Sequence, residues 1–380
     1  MVSKYTVYRK NILKLIYQNE NISRKNLHDL LNLRFATITH ITRDLIKEGI
    51  IEESGKRKRK SKGRPHELLK IIPNSKYFIG CELTPEKIIS VILNFKGEFI
   101  GQKTVNLDET DKKEEILIKI VNLLKNLIEE SKIEKNKICG IGFVDPGIVD
   151  MQKGVSVFSS ILPGWENVHI RDYLKQKLSI NTLIIGSSQS KVLSEKFLGK
   201  GRKSKNIIFI EYGKGIACGI INDNKIIHGQ GGVAGEFGHV KIPYKDEICN
   251  CGKRGCLESI ISVPAILKKI KDVKGTELKM NEIIERYEKG DSEIKKFMDD
   301  VFNILVFSVS NLINILNPEI VIFDKNFLVF EKEFKNIFEK IKENMVYEYP
   351  VSFEISDFGE EIGAIGGACL VISNFLGLDI

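Results

Sequence analysis

The sequence offers no apolar run that approaches the ~20 residues needed to cross a bilayer; even the apolar residues at 207–210 are cut short by Glu211. It also lacks an export signal, because Met1 is followed by polar Ser3-Lys4 and not by a charged start and an apolar core. The reading is a cytoplasmic protein with no membrane partner. Cysteine occurs seven times, an odd number that in such a chain argues against a disulfide framework. Cys81, Cys139, Cys218 and Cys369 stand singly among apolar residues, as small buried hydrophobes do.

What is present is the composition of a globular chain. With 380 residues, 42% hydrophobic and 28% charged, it is long enough for two or three units with a sizeable core. The net charge of +8 is unevenly spread. Residues 1–72 hold 17 Lys and Arg against 7 Asp and Glu, whereas residues 73–380 hold 41 against 43. Such asymmetry is a footprint for a polyanion, although a solvated basic face gives the same count.

Local pattern favours the polyanion. Tyr8, Ile12, Leu15 and Ile16 recur at helical spacing, and a second helix starts after Ser23 as N-cap, with Leu27, Leu30 and Leu31 on its inner face. After a turn at Asn32-Leu33, a third helix carries Ile38, Ile41 and Leu45 inward and ends at Gly49. Ala36, Thr37, Thr39, His40 and Arg43 are left facing out. Small hydroxyl residues near a helix start allow close approach to base edges, and Arg34 and Arg43 can meet phosphate or guanine. Residues 50–53 and 68–72 read as strands joined by a loop, 56–65, in which seven of ten residues are cationic. Each phosphate such a loop neutralises adds a salt-sensitive contribution to affinity. The pattern is a winged helix-turn-helix over residues 1–72, and its expected partner is double-stranded operator DNA.

The other three cysteines are clustered. Cys249-Asn250-Cys251-Gly252-Lys253-Arg254-Gly255-Cys256 sets three thiolates around two glycines that permit a tight knuckle, and His239, ten residues before the first cysteine, is the nearest fourth ligand. His239, Cys249, Cys251 and Cys256 would make a closed structural Zn2+ site, with no open position for a catalytic water. The alternative is three reduced, unligated thiols in a loop rich in Gly, Lys and Arg.

Gly235-Glu236-Phe237-Gly238-His239, the cysteine knuckle and Leu257-Glu258 together resemble the signature of the ROK family of repressors and sugar kinases. The resemblance extends through Gly140-Ile141-Gly142, Pro146-Gly147-Ile148-Val149-Asp150, Leu162-Pro163-Gly164-Trp165, Gly213-Lys214-Gly215 and Gly363-Ala364-Ile365-Gly366-Gly367-Ala368, covering nearly all of residues 77–380. With Gly63-Arg64-Pro65, similar to a wing whose arginine enters the minor groove, it includes the repressor branch. It implies an α/β fold in which the winged helix precedes an actin-like (ribonuclease H-like), two-lobed domain: a small lobe over 77–185 plus 364–380, and a large lobe with the zinc knuckle over 186–363. The pattern of strands at 77–83, 88–94 and 98–105, then a helix over 113–131, agrees. The resemblance also makes Glu236, His239 and Glu258 contacts to a monosaccharide, for which carboxylates and an imidazole are apt hydrogen-bonding groups. A second reading of the two carboxylates is as partners of nearby lysines and arginines. Trp165 reads equally as a cap on the cleft or as a core aromatic.

The same resemblance separates this chain from its kinases. Their catalytic aspartate lies in an Asn-Asp-Ala-Asn run; the matching segment here is Gly186-Ser187-Ser188-Gln189, with serine at the aspartate position and no comparable basicity. Their first phosphate loop appears as Glu82-Leu83-Thr84-Pro85-Glu86, without glycines and with a proline that deletes a backbone donor. Their third nucleotide element ends in Phe323-Asp324-Lys325-Asn326, again without glycine. The expectation is therefore no catalytic residue and no enzyme, but a sugar-responsive DNA-binding regulator, a repressor of carbohydrate-utilisation genes. The two competing readings are a sugar kinase with an appended DNA-binding unit and a DNA-binding protein whose kinase-like part serves assembly alone. A homodimer or a dimer of dimers follows from the family and from the usual symmetry of helix-turn-helix proteins.

Overall fold

The structure, a computed structural model, describes residues 3–19, 21–57, 66–159, 161–347 and 349–378. Its first helix, Lys4–Gln18, buries Ile12, Leu13 and Ile16. The second, Arg24–Leu31, starts at Ser23, whose hydroxyl accepts the N–H of Asn26 while the Asn26 side chain accepts the N–H of Ser23. This reciprocal cap satisfies two otherwise orphaned donors. Leu27 is buried, but Leu30 is 62% exposed, which corrects its expected place on the inner face. The buried stripe runs through Leu27 and half-buried Leu31, and a short helix packed on one side leaves position 30 beyond its edge.

The third helix, Phe35–Lys47, buries Ile38, Ile41, Thr42 and Leu45. Strands Ile51–Arg57 and His66–Ile71 pair antiparallel, and the short strand Ile22–Ser23 adds to the outer side of the second. The connection at 58–65, which carries Gly63, Arg64 and Pro65, lies outside the described residues.

Two five-stranded sheets follow, and both have the same topology. In the first, Tyr77–Leu83, Lys87–Asn94 and Phe99–Asn106 form an antiparallel meander, and Ile138–Asp145 then Thr182–Gly186 extend it in parallel on the other side. In the second, Ile207–Tyr212, Ile216–Asn222 and Lys225–Ile226 form the meander, with Ile320–Phe323 and Ser352–Ile355 added in parallel. The repeat of one pattern makes the two lobes. Helix Lys113–Ser131 packs on the first sheet, burying Ile116, Ile120, Leu123, Leu124 and Leu127.

Two helices cross between the lobes: Ser187–Phe197 and Ile362–Leu376. A Cβ on Gly366 would sit 1.8 Å from the Ser190 carbonyl oxygen, and one on Gly142 would sit 1.9 Å from that of Gly367. No side chain fits at either point, so the small-residue run at 363–368 is what lets the crossing helices and the first sheet meet backbone to backbone. The core beneath them is continuous with that of the N-terminal unit: Ile12, Ile16, Leu27, Ile41, Leu69, Phe78, Phe95, Ile365, Ile372 and Leu376 belong to one buried cluster.

The Ser292–Leu316 helix is long and apolar enough, by length and composition, to cross a membrane, and half of its most apolar stretch is buried inside the protein. Serines and asparagines interrupt its sequence, so no uninterrupted apolar run advertises it. Its buried side holds Val301, Phe302, Leu305, Val309 and Ile313 in the core of the second lobe.

Candidate functional site

On the third helix, Ala36, His40 and Arg43 are exposed and Thr37 and Thr39 half-buried, while Arg34 stands exposed at the helix start. Ala36, His40 and Arg43 share the outward face, and Thr37 and Thr39 lie at its two edges. Tyr5 hydrogen-bonds Asp44, which lies 3.8 Å from His40 Nε2, and Arg9 donates to both oxygens of Glu48, so the first helix holds the third by polar ties as well as by its core. Phe35, 52% exposed at the start of the same helix, was not singled out in the sequence. Nothing in its spacing marks it as a surface residue.

The knuckle gathers its predicted ligands. The donor atoms of His239, Cys249, Cys251 and Cys256 all lie within 4.8 Å of one another. Cys251 Sγ is 3.8 Å from Cys256 Sγ, and Cys249 Sγ is 3.7 Å from His239 Nδ1. Tetrahedral zinc with ordinary bond lengths sets such edges at about 3.5–3.8 Å, so the donor set fits that ion in both identity and spacing. Lys241 Nζ stands 3.0 Å from Cys256 Sγ, a cation suited to thiolate.

His239 links the knuckle to the cleft. Its Nδ1 faces Cys249, and its Nε2 lies 3.6 Å from Glu236 Oε2. Glu258 receives the Ile216 N–H at 3.1 Å through one oxygen and approaches Cys249 Sγ at 3.9 Å with the other. Glu236, His239 and Glu258 are thus brought together around one corner, and neither carboxylate is bound by a lysine or arginine among the described residues. Loss of hydration pushes the Glu236 carboxyl upward, against the pull of His239. Trp165 is not a cap: it is 1% exposed and donates its indole N–H to buried Asp145 at 2.9 Å. Asp145 also accepts the Gly147 N–H at 2.9 Å, which fixes the turn at the strand end beside Gly186.

The residues that match the kinase base and the nucleotide elements make polar contacts with one another. Ser187 donates to Glu82 at 3.4 Å, so the serine at the kinase base position binds the residue that heads the altered first loop. Glu82 is 2% exposed and one of its oxygens has no partner. Burial pushes its carboxyl up to about 7, although Lys191 and Ser187 oppose the shift. Lys191 hydrogen-bonds Glu211; burial works against its charge, but Glu211, Glu82 and Asp324 together hold it as ammonium. Lys214, in the one glycine loop that survives, pairs with Glu86 of the first loop. Sequence reading missed this network because Lys191, Glu211 and Asp324 lie far apart in the chain, and only Asp324 falls in a quoted motif.

The sequence model of the ROK family matches residues 78–374. A xylose repressor of Caldicellulosiruptor bescii is 31% identical over 96% of this chain and 95% of its own length. A glucokinase of Halalkalibacterium halodurans is 27% identical over 78% of this chain and 96% of its own length. Among solved structures, a ROK family transcriptional regulator, a homolog of the E. coli MLC protein, superposes with a TM-score of 0.83 at 22% identity, covering 97% of this chain and 96% of that one.

Proposed function

The chain belongs to the ROK family, and from that premise we propose that it is a sugar-responsive DNA-binding transcriptional regulator, a repressor of carbohydrate-utilisation genes without kinase activity. The observation that carries the reading is an asymmetry across the cleft. Glu236, His239 and Glu258 converge on one corner, whereas the nucleotide side is occupied by Lys191 between Glu82, Glu211 and Asp324. Phosphoryl transfer needs a base and a site for ATP with its metal; a serine at 187 supplies no base, and the internal ammonium stands in for an external cation.

In this reading Arg34, Ala36, Thr37, Thr39, His40 and Arg43 meet the major groove, and Gly63, Arg64 and Pro65 the minor groove. His239, Cys249, Cys251 and Cys256 hold a structural Zn2+. Bound there, the ion supplies rigidity, leaving His239 Nε2 to meet a sugar hydroxyl beside Glu236. The xylose-repressor relative makes a pentose the first effector to try. The domains proposed are 1–72, 77–185 with 364–380, and 186–363.

Effector in the cleft favours one angle between the lobes. The Ile362–Leu376 helix starts beside Glu82 and ends against the first helix, where Gly377 lies on Lys10. A change of angle therefore alters how two winged helices in a dimer span an operator. A coupling of about 1–3 kcal/mol would change affinity roughly 5–150-fold. Fluorescence anisotropy with DNA from upstream of the protein's own gene, at fixed salt, with and without D-xylose and other monosaccharides, tests the proposal. Specific binding altered by one sugar is expected; ATP-dependent sugar phosphorylation by the same preparation would favour the kinase reading.

A further inference from the structure

Two polar residues of the second lobe meet beside the altered base position, and neither belongs to the sugar set read from the sequence. Gln189 lies in the first turn of the Ser187–Phe197 helix and is 3% exposed. Its Oε1 is 3.1 Å from Nδ1 of His228, which follows the Lys225–Ile226 strand of the second lobe. An amide oxygen only accepts, so Nδ1 carries the proton and Nε2 keeps a lone pair. Burial lowers the His228 pKa, which favours the neutral ring. The Gln189 amide nitrogen and His228 Nε2 have no protein partner among the described residues, and neither is sealed from solvent.

Position in the chain gives this pair its meaning. The segment that starts at His228 next meets the first lobe where Gly232 approaches the Val149 carbonyl oxygen, and it runs on to Glu236 and His239. The helix turn that carries Gln189 also carries Ser187. One residue of the pair is thus mounted with the sugar corner, the other with the altered base position. A donor and an acceptor held side by side can each take one hydroxyl of a polyol.

We propose that Gln189 and His228 form an effector-recognition pair, in which His228 Nε2 accepts from one sugar hydroxyl and the Gln189 amide donates to its neighbour. This takes over contacts that Gly186 and Ser187 no longer offer, and it rests on the reading of the chain as a sugar-responsive regulator.

Isothermal titration of the full chain with D-xylose and D-glucose, alongside operator anisotropy, tests the pair. His228→Ala and Gln189→Ala should each weaken binding of the accepted sugar by about tenfold and change the xylose-to-glucose affinity ratio. Operator affinity without sugar and melting temperature should stay near wild type. His228→Gln, which restores an acceptor, should recover part of the loss. If the wild type binds a sugar and both alanine variants bind it equally well with the same ratio, the pair is structural only and the inference is wrong. If the wild type binds neither sugar, the regulator reading and the pair fall together.

Discussion

Tyr17, at the end of the first helix, stacks on Phe95 of the first lobe with ring centroids 5.7 Å apart. Phe95 in turn meets Phe78 at 5.5 Å and Phe375 of the C-terminal helix at 5.4 Å. Four aromatic rings from separate parts of the chain therefore form the joint between the DNA-binding unit and the cleft domain. Aromatic pairs of this kind contribute roughly 0.5–1.5 kcal/mol beyond the area they bury.

Tyr17→Ala should loosen that joint without touching either ligand site. The operator affinity of the sugar-free protein and its sugar affinity are expected to change little, while the factor by which sugar alters operator affinity falls towards one. Anisotropy titrations with and without effector measure it; an unchanged factor would remove the joint from the signalling route.

Glu82 sets a pH dependence. Its ordinary value is 4.5 and burial raises it to about 7, so the folded state holds this proton more tightly than the unfolded chain. The stability it contributes is complete below about pH 4.5 and drains away as pH rises through 7, by at most about 3 kcal/mol. Lys191, Glu211, Ser187, the Ala364 N–H and the neighbouring Cys81 thiol surround or couple to it. Glu82→Gln cannot titrate, so its melting temperature relative to wild type should rise between pH 5 and pH 8. A constant difference would mean that Glu82 is ionised throughout.

Metal analysis of the purified chain should find about one zinc per chain, the stoichiometry of a single four-ligand site. Chelation, or Cys251→Ser, should lower the melting temperature and weaken sugar binding, because His239 and Glu258 adjoin the knuckle. Operator binding without sugar should survive, since the knuckle lies on the second lobe. Retention of full sugar affinity after zinc loss would detach the metal from the effector site.

Ser187→Asp restores a carboxylate at the base position but leaves Pro85 in the first loop, Lys191 among three carboxylates and Lys214 bound to Glu86. No ADP release above background is expected in a coupled assay with glucose or xylose. Turnover by this single variant would show that the internal ion network does not exclude nucleotide.

Much of this architecture is legible in the sequence because it rests on local chemistry. Ser23 caps its helix as its residue type foretells, Ile38, Ile41 and Leu45 turn inward, and helix Lys113–Ser131 has the bounds its periodicity gives. The three cysteines and His239 are close in sequence and close in space. What escaped depends on long-range placement. Leu30 is exposed because of how its short helix sits on its neighbours, Trp165 is buried because Asp145 receives its indole N–H, and the Ser292–Leu316 helix hides its apolar length among serines and asparagines. The Lys191 network and the Gln189–His228 tie join residues 20 to 130 or so positions apart, a separation that no window along the chain can read.

The unbroken core between the first helix and the last has a consequence for the order in which this protein is made. Lys4–Gln18 leaves the ribosome more than 340 residues before Ile362–Leu376, the helix it leans on. Until that final helix arrives, the face around Ile12, Ile16 and Tyr17 lacks part of its cover. A nascent chain therefore carries an unfinished first unit until Ile362–Leu376 has been made, and a product that stops before residue 362 never closes that core.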